Sequence, residues 1–147
     1  MTGDFQIVID CSDPNLLAHF WADALGYQIQ GPPPGFASWK EYWISRGVPA
    51  SEAGEGDDRI SDPSARGPSV WFQRVEDRKS IKNRIHLDLR ASGRDEVPFA
   101  IRRQRVEAEA ARLVLLGATK IGALESGVVD HYAVAMTDPE GNEFDIN

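Results

Sequence analysis

The spacing of hydrophobic and polar residues changes several times within residues 1–35. Residues 5–10 (FQIVID) are apolar and β-branched, which is typical of a strand. A polar cap then precedes Pro14, and apolar side chains follow at helical spacing until Gly26, where we expect the helix to end. This helical stripe consists of Leu17, Phe20, Trp21, Ala24 and Leu25. Residues 27–30 predict a second strand, which the proline-rich stretch 31–35 interrupts.

The next stretch predicts two strands on either side of a long loop. Residues 36–46 (FASWKEYWISR) have the aromatic and β-branched content of a strand. Residues 47–67 are rich in Gly, Ser, Pro and Asp, and loops of this length inside compact domains are usually functional or mobile. Residues 69–75 (SVWFQRV) predict another strand, and a charged linker follows at about 76–84.

The second half of the chain repeats this order. Residues 85–90 (IHLDLR) alternate as in a strand with one buried face, and residues 98–116 predict a helix that Gly117 ends. The stripe of that helix contains Val106, Ala110 and Leu113. The last three strands are predicted at 119–122, 128–136 and 143–146, with a turn at 138–142 before the final one.

The two halves therefore predict an α+β fold made of two βαβββ modules within one domain, 1–147. Module 1 covers about 4–75 and module 2 about 85–147. Twenty positions separate Gln6 from Gly26, whereas thirty-one separate His86 from Gly117. The second module therefore carries about eleven extra residues, which we place around 91–101.

Composition and charge limit the kinds of molecule that this protein is expected to bind. The net charge of −7 argues against nucleic acid, whose recognition depends on basic surface. The basic segment 74–84 is interrupted by acidic residues, so a solvated linker explains it better than an anion site. No apolar run is long enough to cross a membrane, no signal peptide is apparent, and Cys11 is the single cysteine. These features predict a cytoplasmic protein.

Three segments resemble the glyoxalase-like domains of the vicinal oxygen chelate superfamily, which also includes bleomycin-resistance proteins and dioxygenases. They are DCSDPNLLAHFWADALGY at 10–27, KNRIHLDL at 82–89 and DPEGNEF at 138–144. The resemblance implies curved mixed sheets that form a cleft for a metal or a ligand, with the helices on the outer faces. It does not specify a reaction, because the superfamily contains several.

The resemblance also assigns faces to the strands. Ile85, Leu87 and Leu89 are expected to face the helix, which sends His86 and Asp88 to the cleft. In the last strand, Phe144 and Ile146 are expected on the helix side, with Glu143 and Asp145 on the opposite side.

A metal site is one implication of the resemblance. His86 occupies a ligand position, Asp145 stands where the family usually has Glu, and Gln6 occupies the ligand position of the first strand. The fourth position falls on either Gln73 or Trp71, with Gln73 preferred. Imidazole and oxygen ligands suit several divalent ions, but two glutamines are neutral and weak ligands, and Asp is shorter than Glu.

A pocket for an organic molecule is the other implication. Trp39, Trp43 and Trp71 could wall a pocket for a flat ligand, together with Gln73 and His131. Core packing explains part of the aromatic set equally well, and His131 could be an exposed strand residue.

Two functions follow from these alternatives. The incomplete ligand set favours a metal-free protein that binds a small organic molecule, as in the bleomycin-resistance branch. The alternative is a lyase, isomerase or dioxygenase that depends on a divalent metal held by His86, Asp145 and one or both of Gln6 and Gln73, with Glu143 or Asp88 as proton shuttle. Because superfamily members often dimerise, a homodimer is expected as well.

Overall fold

The computed structural model describes residues 5–54, 56–93, 96–126 and 130–147. The chain divides into two compact units, residues 1–78 and 79–147. This division falls inside the charged linker that the sequence predicts at about 76–84. That the two modules make one domain stays a prediction.

The first unit contains a four-stranded sheet and two helices. Its elements are β1 (Gln6–Cys11), α1 (Pro14–Leu25), β2 (Gln28–Ile29), α2 (Trp39–Ser45), β3 (Arg59–Ser61) and β4 (Ser69–Arg74). The strand order is β1-β4-β3-β2, in which β1 and β4 are parallel and the other neighbours are antiparallel. Cys11 is buried at the end of β1, with its Sγ 3.6 Å from the carbonyl oxygen of Gln73.

The second unit repeats this topology with one helix. Its elements are β5 (Asp88–Leu89), α3 (Phe99–Leu116), β6 (Thr119–Glu125), β7 (Tyr132–Thr137) and β8 (Glu143–Ile146). The order β5-β8-β7-β6 places the first and last strands in parallel, as in the first unit. The predicted α+β class with two βαβββ modules is therefore confirmed, and α2 is an addition to the first module.

Helix α1 forms as its sequence predicts. The Asp13 side chain accepts a hydrogen bond from the backbone N–H of Leu16 at 3.0 Å, and Pro14 occupies the first turn, where its missing N–H has no intrahelical partner to lose. Gly26 ends the helix in the left-handed conformation, with φ of 67°. The buried face packs against β2, β3 and β4 and consists of Leu17, Ala18, Phe20, Trp21, Ala22 and Ala24.

Helix α3 covers the sheet of the second unit. Its buried residues are Val106, Ala110 and Leu113, which confirms the predicted stripe. They pack on a sheet face whose most buried side chains are Val134, Met136, Phe144 and Ile146. The helix covers this one face. The residues of β5 and β8 that alternate with the helix-facing ones therefore lie on the opposite face of the sheet.

The predicted strand at 36–46 is wrong, because residues 39–45 form α2. The Ser38 side chain caps this helix by accepting a hydrogen bond from the backbone N–H of Glu41 at 3.1 Å. The Glu41 carboxylate in turn accepts one from the backbone N–H of Ala37 at 2.8 Å. Local capping and helical aromatic spacing outweigh the high β-propensity of the aromatic residues here.

Three further boundaries differ from the sequence-based expectation. The predicted loop 47–67 contains β3, whose Ile60 is buried and pairs with β2 and β4. Within 85–90, strand pairing is confined to Asp88–Leu89, and Ile85 is 83% exposed instead of facing the helix. The strand predicted at 128–136 is found at Tyr132–Thr137, and residues 128–129 lie outside the described residues.

Among the described residues, no helix combines the length and the apolar character that a membrane crossing requires.

Candidate functional site

The first unit contains a cavity of about 770 Å³ lined by aromatic and charged side chains. Its walls come from α2, from the loop that follows it, from β3 and β4, and from the start of α1. The lining includes four of the residues that the sequence predicts for ligand binding: Trp39, Trp43, Trp71 and Gln73. The structure therefore brings these four side chains together in one place.

Helix α2 positions two of the tryptophans. Trp39 and Trp43 are separated by one helical turn, so their rings lie on the same face of the helix. The two rings are stacked, with centroids 6.0 Å apart and an interplanar angle of 21°. The indole N–H of Trp39 donates a hydrogen bond to the carbonyl oxygen of Gln30 at 2.8 Å, which fixes its ring.

Arg59 on β3 contacts all three tryptophans of the cavity. Its guanidinium carbon lies 4.4 Å from the ring centroid of Trp39, 5.2 Å from that of Trp71 and 5.5 Å from that of Trp43. Cations within about 6 Å of an aromatic face are attracted by the negative potential of that face. The three indoles therefore form a cage around one positive charge.

Asp58 completes the polar part of this cage. Its Oδ2 accepts a hydrogen bond from the indole N–H of Trp71 at 3.1 Å, and its Oδ1 lies 3.5 Å from Nη1 of Arg59. Burial raises the pKa of Asp58 above its usual value, and the positive charge of Arg59 counteracts part of that rise. Oδ1 of Asp58 and Nη1 of Arg59 are both buried and neither makes a hydrogen bond.

Sequence reasoning missed Asp58 and Arg59, because both fall in the predicted loop 47–67. The local signal was the polar–apolar–polar order of Arg59, Ile60 and Ser61, which is too short to predict a strand. The pairing that makes β3 a strand is with residues 28–29 and 70–71, and such long-range partners cannot be read from the local pattern.

The second unit brings His86, Asp88 and Asp145 together. Nε2 of His86 lies 3.3 Å from Oδ1 of Asp88 and 3.6 Å from Oδ2 of Asp145. One possible ligand atom from each residue lies within 4.8 Å of the other two. All three side chains are partly exposed, so the cluster is accessible from solvent.

Strand pairing explains this geometry. Asp88 and Asp145 are direct partners in the parallel ladder between β5 and β8, so their side chains leave the same face of the sheet. The side-chain amide of Asn147 donates a hydrogen bond to Oδ2 of Asp88 at 3.1 Å, which orients that carboxylate. One imidazole nitrogen and two carboxylate oxygens are a donor set that suits divalent first-row metals, so these residues fit such an ion.

Glu143, a predicted proton shuttle, is engaged in other contacts. Its Oε2 accepts a hydrogen bond from the backbone N–H of Asn83 at 2.9 Å and lies 2.9 Å from Nζ of Lys79. The bond from Asn83 and the ammonium of Lys79 lower the pKa of Glu143 from 4.5 to about 2. A carboxylate held ionised in this way is a weak base near neutral pH.

The two remaining predicted site residues belong to different units. Gln6 belongs to the first unit, on β1, where its amide donates a hydrogen bond to Oγ of Ser69 at 3.1 Å. His131 belongs to the second unit, where it precedes β7 and lines a different cavity of about 620 Å³ together with Arg90 and Arg102.

Comparison with solved structures identifies the same fold in other proteins. A glyoxalase/bleomycin resistance protein/dioxygenase family enzyme from Burkholderia phytofirmans PsJN is 18% identical, with a TM-score of 0.59 over 99% of this chain and 98% of that chain. The genomically encoded fosfomycin resistance protein FosX from Listeria monocytogenes is 10% identical, with a TM-score of 0.62 over 100% and 90%. At such identities the likeness shows the fold alone.

A mutant of that FosX protein was solved in complex with Mn(II) and 1S,2S-dihydroxypropylphosphonic acid; it is 11% identical, with a TM-score of 0.59 over 100% of this chain and 90% of that chain. No protein of curated function matches the chain in sequence. A family model described as "Glyoxalase-like domain" matches residues 6–147. Since that match runs through both βαβββ modules, the chain belongs to the glyoxalase-like domain family of the vicinal oxygen chelate superfamily.

Proposed function

We propose that this protein binds a small organic molecule in the tryptophan-lined cavity of its first unit. The observation that carries the proposal is the grouping of Trp39, Trp43 and Trp71 around one cavity of about 770 Å³. Ligand pockets are usually about 300–1,000 Å³ in volume and combine aromatic walls with a few fixed polar groups. The cavity of the first unit has both properties.

The aromatic walls are held in place before any ligand arrives. Hydrogen bonds fix the indole of Trp39 to Gln30 and the indole of Trp71 to Asp58, and Trp43 stacks on Trp39. A wall that is already ordered loses little side-chain entropy on binding, which favours affinity. This arrangement supports a binding role that needs no metal.

The indole N–H signals of the protein, observed by ¹⁵N NMR, provide a direct test. A library of flat aromatic metabolites is titrated into the labelled protein, and a ligand of the cavity should shift the signals of Trp39, Trp43 and Trp71. The fourth tryptophan, Trp21, is buried in the core and does not line the cavity, so its signal is the internal control.

Trp43→Ala should weaken binding of any such ligand by about tenfold, as expected for loss of one aromatic contact. Leu115→Ala is the control, because Leu115 is exposed, belongs to α3 of the second unit and does not line the cavity. A library that moves none of the three indole signals would contradict the proposal.

A second candidate function is metal-dependent catalysis, and the cluster of His86, Asp88 and Asp145 favours it. These three residues would hold a divalent ion, and such an ion would supply Lewis-acid polarisation of a carbonyl or enediolate oxygen. Contributions from Gln6 and Gln73 to the same ion stay a prediction. Metal analysis of protein purified without chelator, compared with His86→Ala, tests this function; equal metal content in both would contradict it.

We also propose that the protein forms a homodimer. Within the described residues, β1 pairs only with β4 and β5 only with β8, so each sheet leaves its first strand at an edge. Apolar side chains near these edges are exposed, including Phe5, Val8 and Ile85. Strand edges that carry exposed apolar side chains tend to acquire a partner. Light scattering after size-exclusion chromatography tests this proposal, and a monomer mass at all concentrations would refute it.

A further inference from the structure

We propose that the tryptophan-lined cavity selects planar aromatic ligands that carry an anionic group, a carboxylate above all, and that Arg59 sets this preference. The inference rests on the proposed binding function and adds the chemical class of the ligand. It starts from the surroundings of the Arg59 guanidinium.

The cage stabilises the charge of Arg59 but does not satisfy its hydrogen bonds. Three indole faces surround the guanidinium, and the side chain is only 13% exposed. Aromatic faces attract a cation but provide few acceptors for the five N–H donors of a guanidinium. Nη1 makes no hydrogen bond but is itself buried, so a ligand in the cavity would accept from the other N–H donors of the guanidinium. Arg59 therefore retains unused capacity to donate.

Asp58 neutralises this charge incompletely. Among the described residues it is the one carboxylate within ion-pair distance of Arg59, and the distance is 3.5 Å. Strong guanidinium–carboxylate hydrogen bonds are shorter, at about 2.7–2.9 Å. The other oxygen of Asp58 is bound to the indole N–H of Trp71, and burial disfavours the charged form of this carboxylate. A second anion at Arg59 would therefore be stabilised.

The other charges of the lining are mixed, so the anion preference depends on the position of Arg59 and not on the net charge of the cavity. Arg74 is a second cation at the cavity wall. Besides Asp58, three carboxylates line the cavity: Asp13 caps α1, Asp57 lies 3.1 Å from Nε2 of His19, and Glu52 lies in the loop after α2. An aromatic cage would otherwise suit a cationic ligand, but here the guanidinium already fills it and would repel a second cation.

A ligand of this class would use both parts of the site. Its ring would stack on the indole surface that the cavity exposes, and its carboxylate would accept hydrogen bonds from Arg59, which lines the same cavity. The ring provides most of the buried apolar area, and the carboxylate provides the discrimination between ligands of equal size.

Three probes with the same ring test the charge preference in the unmodified protein. Naphthoate, naphthamide and naphthylmethylammonium are titrated separately while the indole N–H signals are followed, with Trp21 as the internal control. Naphthoate should bind about tenfold more tightly than naphthamide, which corresponds to one charge-assisted hydrogen bond. The ammonium probe should bind most weakly.

Arg59→Gln should remove the preference, so that naphthoate and naphthamide bind alike. Arg66→Gln is the control, because Arg66 is exposed and does not line the cavity. If naphthamide or the ammonium probe binds the parent as tightly as naphthoate, the anion preference is wrong while the binding function stands. If none of the probes shifts the three indole signals, the charge preference and its premise of a binding cavity both fail. The comparison of probes in the parent remains decisive if Arg59→Gln does not fold.

Discussion

Asp88 and Asp145 are paired across the parallel ladder of β5 and β8, and His86 lies within 3.6 Å of both carboxylates. This pairing places three potential metal ligands on one face of a single module. It follows that Asp88 should act as a metal ligand beside His86 and Asp145, which are two of the ligand positions that the family resemblance implies. Whether the second unit holds a divalent ion can be measured directly.

Asp88→Asn should weaken binding of Mn²⁺. Loss of a residue that only orients a ligand lowers metal affinity by about 10- to 100-fold, so loss of a ligand should lower it at least as much. The signal of free Mn²⁺ in electron paramagnetic resonance measures the affinity.

Asp130→Asn is the control for this titration, because it removes an exposed carboxylate of the same unit. An Asp88→Asn affinity equal to that of the parent would remove Asp88 from the ligand set. An unchanged Mn²⁺ signal with the parent protein would contradict the metal site altogether.

Leu17→Ala should destabilise the protein by about 2–5 kcal/mol, because it leaves a cavity in the core of the first unit. Leu17 is fully buried, whereas its neighbour Leu16 is 45% exposed. Leu16→Ala should therefore change the free energy of unfolding by much less. Urea denaturation followed by tryptophan fluorescence measures both, and equal effects would show that α1 does not present the face described above.

Gly26→Ala should destabilise α1 by about 1–2 kcal/mol, because a side chain is strained in the left-handed conformation. Gly26 has φ of 67°, and no atom lies within 4 Å of the position that a Cβ would take. The expected loss therefore comes from the backbone and not from a clash. Gly31→Ala has similar open space without a positive φ, so it should be nearly neutral. Thermal unfolding of both variants tests the difference.

Glu143→Gln should change how stability depends on pH. The pKa of Glu143 is lowered from 4.5 to about 2, so its contribution is fully present above pH 4.5 and is lost as the pH falls toward 2. The variant should be less stable than the parent near neutral pH, and the gap should close in acid.

Melting temperatures of both proteins across this range measure the gap. Both retain Asp62, whose pKa is also about 2 because the Ser64 hydroxyl and backbone N–H groups donate to it, so the difference isolates Glu143. A gap that stays constant with pH would mean that the contacts with Asn83 and Lys79 do not contribute as described.

The sequence predicts the repeated parts of the fold well, because they depend on local signals. The cap and proline before α1, the stripe of α3 and the glycine that ends each of these two helices are all read from neighbouring residues. In the second half the order of strand, helix and three strands follows from the same signals. In the first half the strand predicted at 36–46 is α2, and β3 lies in the predicted loop. The TM-scores to solved structures then confirm a fold that the resemblance already implies.

Helix α2 shows where composition misleads. Its aromatic side chains favour a strand by propensity, yet Ser38 and Glu41 form the capping pattern that begins a helix. Trp39, Tyr42 and Trp43 also follow helical spacing. If the capping pattern is given more weight than β-propensity, the sequence predicts a helix here. That helix places the indoles of Trp39 and Trp43 on one face.

The candidate sites were predictable to different degrees. Strand alternation was enough to place His86 and Asp88 on one face of a strand. The family resemblance implied that Asp145 is a ligand position of the same site. The cage around Arg59 was not predictable, because it needs α2 and the pairing of β3 with β4, which are separated in sequence from each other. Contacts that depend on two distant elements leave no periodic signal in either element.

The parallel pairing of the first and last strands of each module also affects how the chain folds during synthesis. In the first unit, Gln6 pairs with Ser69, so β1 has no strand partner until the last strand of its module has been made. Contacts at such long sequence separation are slow to form. During synthesis on the ribosome, β1 therefore lacks its strand partner until residue 74 has emerged. Until then, the apolar faces of β1 and α1 stay uncovered. We therefore expect the first module to depend on chaperones during translation.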